Sequence, residues 1–253
     1  PDIVYHFAAQ SFPESSFVTP ILTLTTNVIG TTNLLEELRE SKECDPVIIS
    51  VSSSEVYGNP TKDEIPITET NPIRAANPYS ISKVGHDLMS QYYANAYDMK
   101  VIITRMFSHE GARRGKRFAL SSFAHQIVQH EKKKDFGKEG SWYEIYHGNL
   151  DSVRTYNHID DAVRAYWLAV EKCEYGEVYN IGGGRKSNCS VIEALNCVEL
   201  LTSIKVKRIY HKANRIGDHI WYVSDTRKFR KHYPQWKQRY ETKKIIEELI
   251  YSF

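Results

Sequence analysis

Three short apolar runs rich in β-branched residues, "DIVYHFAA", "PVIISVSS" and "KVIITRMF", punctuate the first half of the chain. Runs of this length that end in small residues read as buried parallel strands. Between the first two, "TLTTNVIGTTNLLEELRESKE" places Val28, Leu34, Leu35 and Leu38 at helical spacing. Between the second and third, "NPYSISKVGHDLMSQYYANAY" predicts a helix with Pro78 in its first turn. This strand–helix alternation predicts right-handed crossovers and a parallel sheet.

After Phe107 the pattern changes. "SHEGARRGKRF" reads as a polar loop, "ALSSFAHQIVQHEKKK" as a helix, and "DFGKEGSWYEIYHGNLDS" as a loop and strand. "YNHIDDAVRAYWLAVEK" predicts a strand edge running into a helix, with Asp160 and Asp161 as its caps. "GEVYNIGGG" is a strand closed by glycines; a helix over Val191–Leu201, a strand near "VKRIYH" and a terminal helix "ETKKIIEELIYSF" follow. The expected architecture is a doubly wound α/β domain with a smaller mixed α/β lobe. Residues 1–107 form the first, and residues 108–253 mainly the second. About 154–182 return to the main sheet.

The 253 residues, 41% hydrophobic and 25% charged, suffice for a sizeable core. A formal charge of +2 argues against nucleic acid and membrane surfaces as partners, and Lys116, Arg117 and Lys132 to Lys134 read as solvated basic runs. No apolar stretch approaches the ~20 residues of a membrane span, and no signal-peptide pattern stands at the start. Cys44, Cys173, Cys189 and Cys197 have neither C-x-x-C nor metal-ligand spacing, so reduced thiols, a cytoplasmic location and no metal are expected. Trp142, Trp167, Trp221 and Trp236 read as core or lobe packing. The chain opens on "PDIVYHFAAQ", without an initiator Met and already in a strand-like run, as a fragment would.

In open parallel sheets, ligands bind beyond the carboxyl ends of the strands. Three such ends carry unusual residues: "HFAAQS", "SSSEVYG" and "TRMFSHEG". On the helix after the second, Tyr79 and Lys83 lie four apart and so share a face. An ammonium beside a phenol favours the phenolate, which predicts a Tyr79 acidified enough to act as a base.

The combination "HFAAQS", "SSSEVYG", "PYSISK" and "TRMFSHEGARRG" resembles the extended short-chain dehydrogenase/reductases that modify nucleotide sugars. The resemblance spans nearly the whole chain, starting at the family's fourth strand. It implies a Rossmann-like domain whose N-terminal Gly-rich part is not in this sequence. Gly182 to Gly184 follow a late strand and are assigned to the substrate lobe instead. NAD or NADP is implied as cofactor, a nucleotide-diphosphate sugar as substrate, and a homodimer or homotetramer built on helices such as Asn27–Lys42 and Pro78–Tyr97.

Among such enzymes, Glu55 points to 4,6-dehydratases, in which a carboxylate removes the proton next to a transient ketone. The implied catalytic residues are Ser53, Glu55, Tyr79 and Lys83. Ala8, Ala9, Gln10, Asn27, Ser52, Phe107 and His109, together with Tyr79 and Lys83, are implied at the cofactor. Asn27 is implied to hold the Lys through water, with a bond to its own backbone as the plain alternative. Ser54-Glu55 is similar to the Ser/Thr-Ser-Glu of GDP-mannose 4,6-dehydratases, and "SHEGARRG" and "GNLDSVRTY" are similar to two of that family's segments. Ser54, Ser108, Arg113, Arg114 and Arg154 are then implied at the substrate, the last facing its diphosphate. His109 and Glu110 are further candidates for substrate contact.

Ser108 and Thr155 depart from that pattern, where Asn and Asp are usual. The tail from "NIGGGRKSNCS" to "YPQW" is closer to CDP-paratose 2-epimerases (tyvelose epimerases), in which the Arg of "RIGD", here Arg215, contacts the diphosphate. An epimerase, a UDP-glucuronate decarboxylase-like enzyme with the same Tyr and Lys, and a catalytically silent nucleotide-binding homologue are the alternatives.

Overall fold

The computed structural model describes residues 1–132, 143–172, 174–211 and 220–253. In chain order, β1 (Ile3–His6) leads into α1 (Pro13–Val18) and α2 (Pro20–Leu24). A π-helical turn, Thr25–Ile29, then runs on into α3 (Gly30–Glu40). Next come β2 (Val47–Ser53), α4 (Pro78–Tyr97), β3 (Val101–Met106), β4 (His109–Glu110), α5 (Ala119–Lys132) and β5 (Tyr143–His147). After these follow β6 (Val153–Thr155), β7 (Asn157–His158), α6 (Ile159–Lys172), β8 (Val178–Ile181), β9 (Asn188–Ser190) and α7 (Val191–Thr202). Finally there are β10 (Val206–Tyr210), β11 (Trp221–Tyr222), α8 (Arg227–His232) and α9 (Thr242–Tyr251).

The main sheet has the order β1-β2-β3-β8 and every pairing in it is parallel. This is the Rossmann-like α/β fold expected from the alternation. β2 and β3 bury Ile48, Ile49, Ile102 and Ile103 completely between layers of helices, which is why they read as continuous apolar runs. One apolar cluster on the sheet includes Ala162, Ala165 and Ala169 of α6, with Trp236; another includes Leu35 of α3 with Tyr93 and Ala94 of α4. A separate core unites α5, α7 and α9 through Phe123, Ile127, Leu195, Val198, Ile245 and Leu249. Around it lie two smaller sheets, β10-β5 and β11-β6-β9. The chain returns to the main sheet through α6 and β8, whereas residues 153–155 remain in the lobe as β6.

Helix α4 starts where its sequence dictates. Asn77 accepts from the Ser80 amide at 2.8 Å, Ser80 Oγ accepts from the Asn77 amide at 2.9 Å, and Pro78 occupies the first turn. Gly85 lets the helix approach its neighbour: an added Cβ would stand 2.8 Å from Val28 Cγ2. The first turn of α6 holds Asp160 and Asp161, but the cap is different from the one expected. His158 Nδ1 accepts from the Asp160 amide at 3.1 Å, while the buried Asp161 carboxylate accepts from the Arg239 and Tyr240 amides at 2.9 and 3.1 Å. Asp161 thus ties down the C-terminal segment.

The face that α2, the π-helical turn and α3 turn inward is largely polar. Thr23, Asn27 and Thr31 are fully buried, while Ile21, Leu22 and Ile29 are 79%, 59% and 52% exposed. Asn27 and Thr31 spend their polar groups on hydrogen bonds near the carboxyl end of β1, while Thr23 donates to Thr19 O at the start of its own helix. Trp236 is core, donating to Asp161 O at 3.0 Å. Trp167 and Trp221 contradict the packing expected of them, being 62% and 47% exposed, and Trp142 and Cys173 lie outside the described residues. No helix among the described residues is long and apolar enough to cross a membrane.

Candidate functional site

The carboxyl ends of β1, β2 and β3 and the start of α4 converge on one region. β2 ends at Ser53, and the next residues, Ser54–Tyr57, form a single 3₁₀ turn in which Ser53 Oγ accepts from the Glu55 amide at 3.2 Å. The Ser53 hydroxyl also hydrogen-bonds the Tyr79 phenol, and the charge of Glu55 acts on that same phenol. Ser53, Glu55 and Tyr79 therefore share one environment. The three hydroxyls ahead of Glu55 have separate tasks. Ser52 is buried without a hydrogen-bond partner, Ser53 serves Tyr79, and the Ser54 carbonyl accepts from Tyr222.

Lys83, 4% exposed, donates to the Val51 carbonyl at 2.8 Å. Burial lowers its ammonium to about 8, opposed by Asp87 one turn further along α4. Burial pushes the Tyr79 phenol up to about 12; Ser53 and Arg114 pull it down, and Glu55 pushes it up. The acidified phenol expected from the Tyr–Lys spacing is therefore not present: desolvation outweighs the stabilising partners, and Lys83 is directed at a backbone carbonyl.

Asn27 is completely buried in the π-helical turn, where such bulges often accompany function. It does not bond its own helix. Its Oδ1 accepts from the Gln10 amide at 2.8 Å, and its Nδ2 donates to Gln10 O at 2.9 Å and Ser82 Oγ at 2.8 Å. Ser82 donates in turn to Tyr79 O at 2.7 Å, so Asn27 ties the end of β1 to the helix bearing Tyr79 and Lys83. Ala8 is exposed and Ala9 half-buried, between β1 and the Gln10 that this network holds. Small side chains at Ala8 and Ala9, a buried Ser52 hydroxyl with bonding capacity to spare, and Lys83 fit a ribose and its neighbouring ring.

Below the network lies a relay of two buried imidazoles. Thr31 donates its one hydroxyl proton to Asn27 O at 2.7 Å, so His6 Nε2 and His86 Nδ1, each 2.8 Å away, both donate to Thr31 Oγ1. His86 Nε2 lies 2.8 Å from Ser50 Oγ, which also meets Ser90 Oγ at 2.6 Å. Burial holds both imidazoles below the usual histidine range, and Lys83 adds to the effect.

A cavity of about 490 Å³ opens on the lobe side, a volume suited to a small-molecule ligand. Ser108, Glu110 and Arg154 line it, together with Arg117, Gln126, Tyr146 and Asn149. Glu110 is 3% exposed, and burial pushes its carboxyl up to about 7 against the pull of Arg114, whose Nε lies 3.3 Å away. Arg114 stacks over Phe118 at 3.5 Å, and its charge acts on both Glu110 and Tyr79. Arg113 is solvent-exposed in the left-handed region (φ 66°) and is not among the cavity's lining residues. Phe107 is buried against Tyr222, and His109, half-buried, donates from Nδ1 to Phe107 O at 3.3 Å. Arg215 lies outside the described residues.

Tyr222, Gln126, Tyr146, Asn149 and the Asp87–Arg105 pair escaped the sequence reading. Arg117 was read there only as a solvated charge. None forms a local pattern; each acquires its place through the tertiary fold. Among the described residues, no group of three or more His, Cys, Asp or Glu could hold a metal, and Cys44, Cys189 and Cys197 are free thiols.

The fold and this cluster are those of a nucleotide-sugar-modifying short-chain dehydrogenase/reductase, and the whole-chain comparison makes the family specific. Residues 1–249 match the model of the GDP-mannose 4,6 dehydratase family, and the chain belongs to that family. It is similar to the GDP-6-deoxy-D-mannose reductase of Pseudomonas aeruginosa, 28% identical over 81% of this chain and 63% of that protein. It is also similar to the dTDP-glucose 4,6-dehydratase of Haemophilus influenzae, 29% identical over 98% of this chain and 70% of that one. Among solved structures, RMD from Pseudomonas aeruginosa complexed with NADPH superposes with a TM-score of 0.89 at 23% identity, covering 100% of this chain and 81% of that one.

Proposed function

We propose that this chain carries the catalytic centre of an NAD(P)-dependent nucleotide-sugar 4,6-dehydratase, nearest to the GDP-mannose type. The observation that carries this reading is the placement of Glu55 within electrostatic reach of Tyr79, with Ser53 bonded to the same phenol. A simple exchange of hydride at C4 needs the Tyr and Ser but has no use for a carboxylate. An elimination does.

When bound, the nicotinamide group supplies a hydride acceptor and later a donor. Ser53 holds the sugar's 4-oxygen while Tyr79 takes its proton, and C4 loses hydride to become a ketone. The 4-ketone acidifies the C5 proton, which Glu55 removes. Glu55 then returns that proton to the departing C6 hydroxyl, so water leaves; the hydride would return to C6, C5 takes a proton from solvent, and the proton held by Tyr79 is released to solvent in exchange. The sugar loses one water with no net oxidation. Lys83 keeps positive charge beside the ribose, and Ser53 and Arg114 oppose the rise that burial imposes on the Tyr79 phenol. Ala8, Ala9, Gln10, Asn27, Ser52 and His109 are the residues proposed around the cofactor. Ser54, Ser108, Arg114, Arg154 and Arg215 are proposed for the nucleotide sugar, with the diphosphate against Arg154 in the cavity; Arg113 is proposed only at its rim.

The test is incubation of the full-length protein and its cofactor with GDP-, CDP-, UDP- and dTDP-sugars, followed by product mass. Loss of 18 Da, the mass of water, from GDP-mannose is expected. Unchanged mass with an altered configuration would make the enzyme an epimerase, and loss of carbon dioxide a decarboxylase.

A further inference from the structure

Tyr222 belongs to the lobe, on β11, yet its hydroxyl donates to the carbonyl of Ser54, the residue between Ser53 and Glu55. The side chain is 3% exposed, and its ring packs on Phe107 with 5.5 Å between centroids. It also shares one apolar cluster with Val56 and Tyr57, which follow Glu55. The strand beyond it completes a clamp: the Ile67 amide donates to Val223 O, and the Asp225 amide to Ile67 O, both at 2.8 Å. The short turn bearing Glu55 thus continues directly from β2 and is tied to the lobe at its first residue by Tyr222, whose ring also packs with Val56 and Tyr57. The negative charge of Glu55 acts on two buried phenols, Tyr79 from the main domain and Tyr222 from the lobe. Tyr222 also stands in register with Arg154, which lines the cavity.

We infer that Tyr222 is a positioning residue for Glu55. By holding the Ser54 carbonyl, it aims the carboxylate at the ring that Tyr79 addresses, and through its register with Arg154 it makes that aim depend on the docked lobe. The kinetic part of this inference rests on the dehydratase reading; the geometric part does not. A Phe at this position keeps the ring against Phe107 and removes only the donor. Misplacement of a proton-transfer group by ~1 Å costs up to about 100-fold.

The experiment uses the full-length enzyme with GDP-mannose in deuterated water. It follows cofactor reduction by absorbance, and C5 deuteration with product formation by mass. In Tyr222→Phe, cofactor reduction should stay within about twofold of wild type while C5 deuteration and product fall ~10- to 100-fold. Tyr57→Phe is the control. It removes another buried hydroxyl of the same cluster, one bonded to Asn180 Oδ1 at 2.7 Å, and should leave the ratio of the two steps unchanged. Equal loss of both steps in Tyr222→Phe, or loss of neither, overturns the inference. If wild type does not dehydrate GDP-mannose, that failure belongs to the proposed function. Crystal structures of wild type and Tyr222→Phe then decide the positioning claim: a shift of the Ser54 carbonyl and Glu55 by ~1 Å or more upholds it, and coincident positions overturn it.

Discussion

Arg105 on β3 grips Asp87 on α4 with both arms of its guanidinium, Nε to Oδ2 and Nη2 to Oδ1, each at 2.9 Å, and both side chains are buried. Asp87 is also the charge that opposes the effect of burial on Lys83. The pair therefore fastens a central strand to the helix bearing the Tyr–Lys pattern and supplies the counter-charge for its Lys. Asp87→Asn leaves a buried guanidinium half-paired, and a loss of about 3–5 kcal/mol in denaturant-unfolding stability is expected. Replacing both by apolar residues (Asp87→Leu with Arg105→Met) should recover most of that loss.

The Lys83 ammonium sits at about 8, so it loses its charge within an accessible pH range. Because the reaction needs that charge near the phenol and ribose, kcat/KM for cofactor reduction should fall roughly tenfold per pH unit above about pH 8. Arg at position 83 stays charged, so in Lys83→Arg this alkaline limb should vanish even if the absolute rate is low. A pH–rate profile in which wild type and Lys83→Arg bend together would assign the limb elsewhere.

Glu55→Gln keeps the shape of the turn and removes the base. Cofactor reduction at C4 should persist, while release of the 4-keto-6-deoxy product should fall by at least ~100-fold. Product release at the wild-type rate would remove Glu55 from the mechanism.

The parallel sheet was legible in the sequence because β2 and β3 are buried on both faces and so print as uninterrupted β-branched runs. Ser53, Glu55, Tyr79 and Lys83 were legible because two contiguous segments hold them all. Tyr222 was not: it sits almost at the end of the chain, in a two-residue strand, and only the docking of β11 brings it to Ser54. The helical spacing of Val28, Leu34, Leu35 and Leu38 was legible too, and all four are buried or half-buried, but the polar inner face of α2 and its π-helical turn was not. Its inward positions are Thr23, bonded to Thr19 O, and Asn27, bonded to Gln10 just beyond β1, while Ile21, Leu22 and Ile29 face out. The cap of α6 failed similarly, since Asp161 was claimed by two amides nearly eighty residues away.

Those outward apolar residues bear on assembly. Ile21 and Leu22 on α2 are joined by Ile81, Leu88 and Tyr92 on α4, which are 51%, 50% and 51% exposed along one helical face. α2 packs on α4, so a second copy of the chain could cover both with a two-fold interface. A homodimer or homotetramer is proposed on this surface. Leu88→Lys with Ile21→Glu should shift the sedimentation coefficient of the full-length protein toward the monomer at micromolar concentration, and an unchanged value would place the interface elsewhere.

Glu110 gives the clearest pH signature in stability. Its carboxyl is raised from 4.5 to about 7 by burial, so between those values the folded protein holds a proton that the unfolded chain has released. Stability from this group is fully present below pH 4.5 and is lost as pH rises through 7. A shift of this size corresponds to ~3 kcal/mol, with the pull of Arg114 already included in it. In Glu110→Gln, which cannot ionise, the unfolding free energy should be flatter between pH 5 and 8, with the gain over wild type growing toward pH 8. Urea titrations of both proteins at several pH values check this. Parallel curves for the two would mean that Arg114 neutralises the carboxylate fully and that its charge is no longer directed at Tyr79.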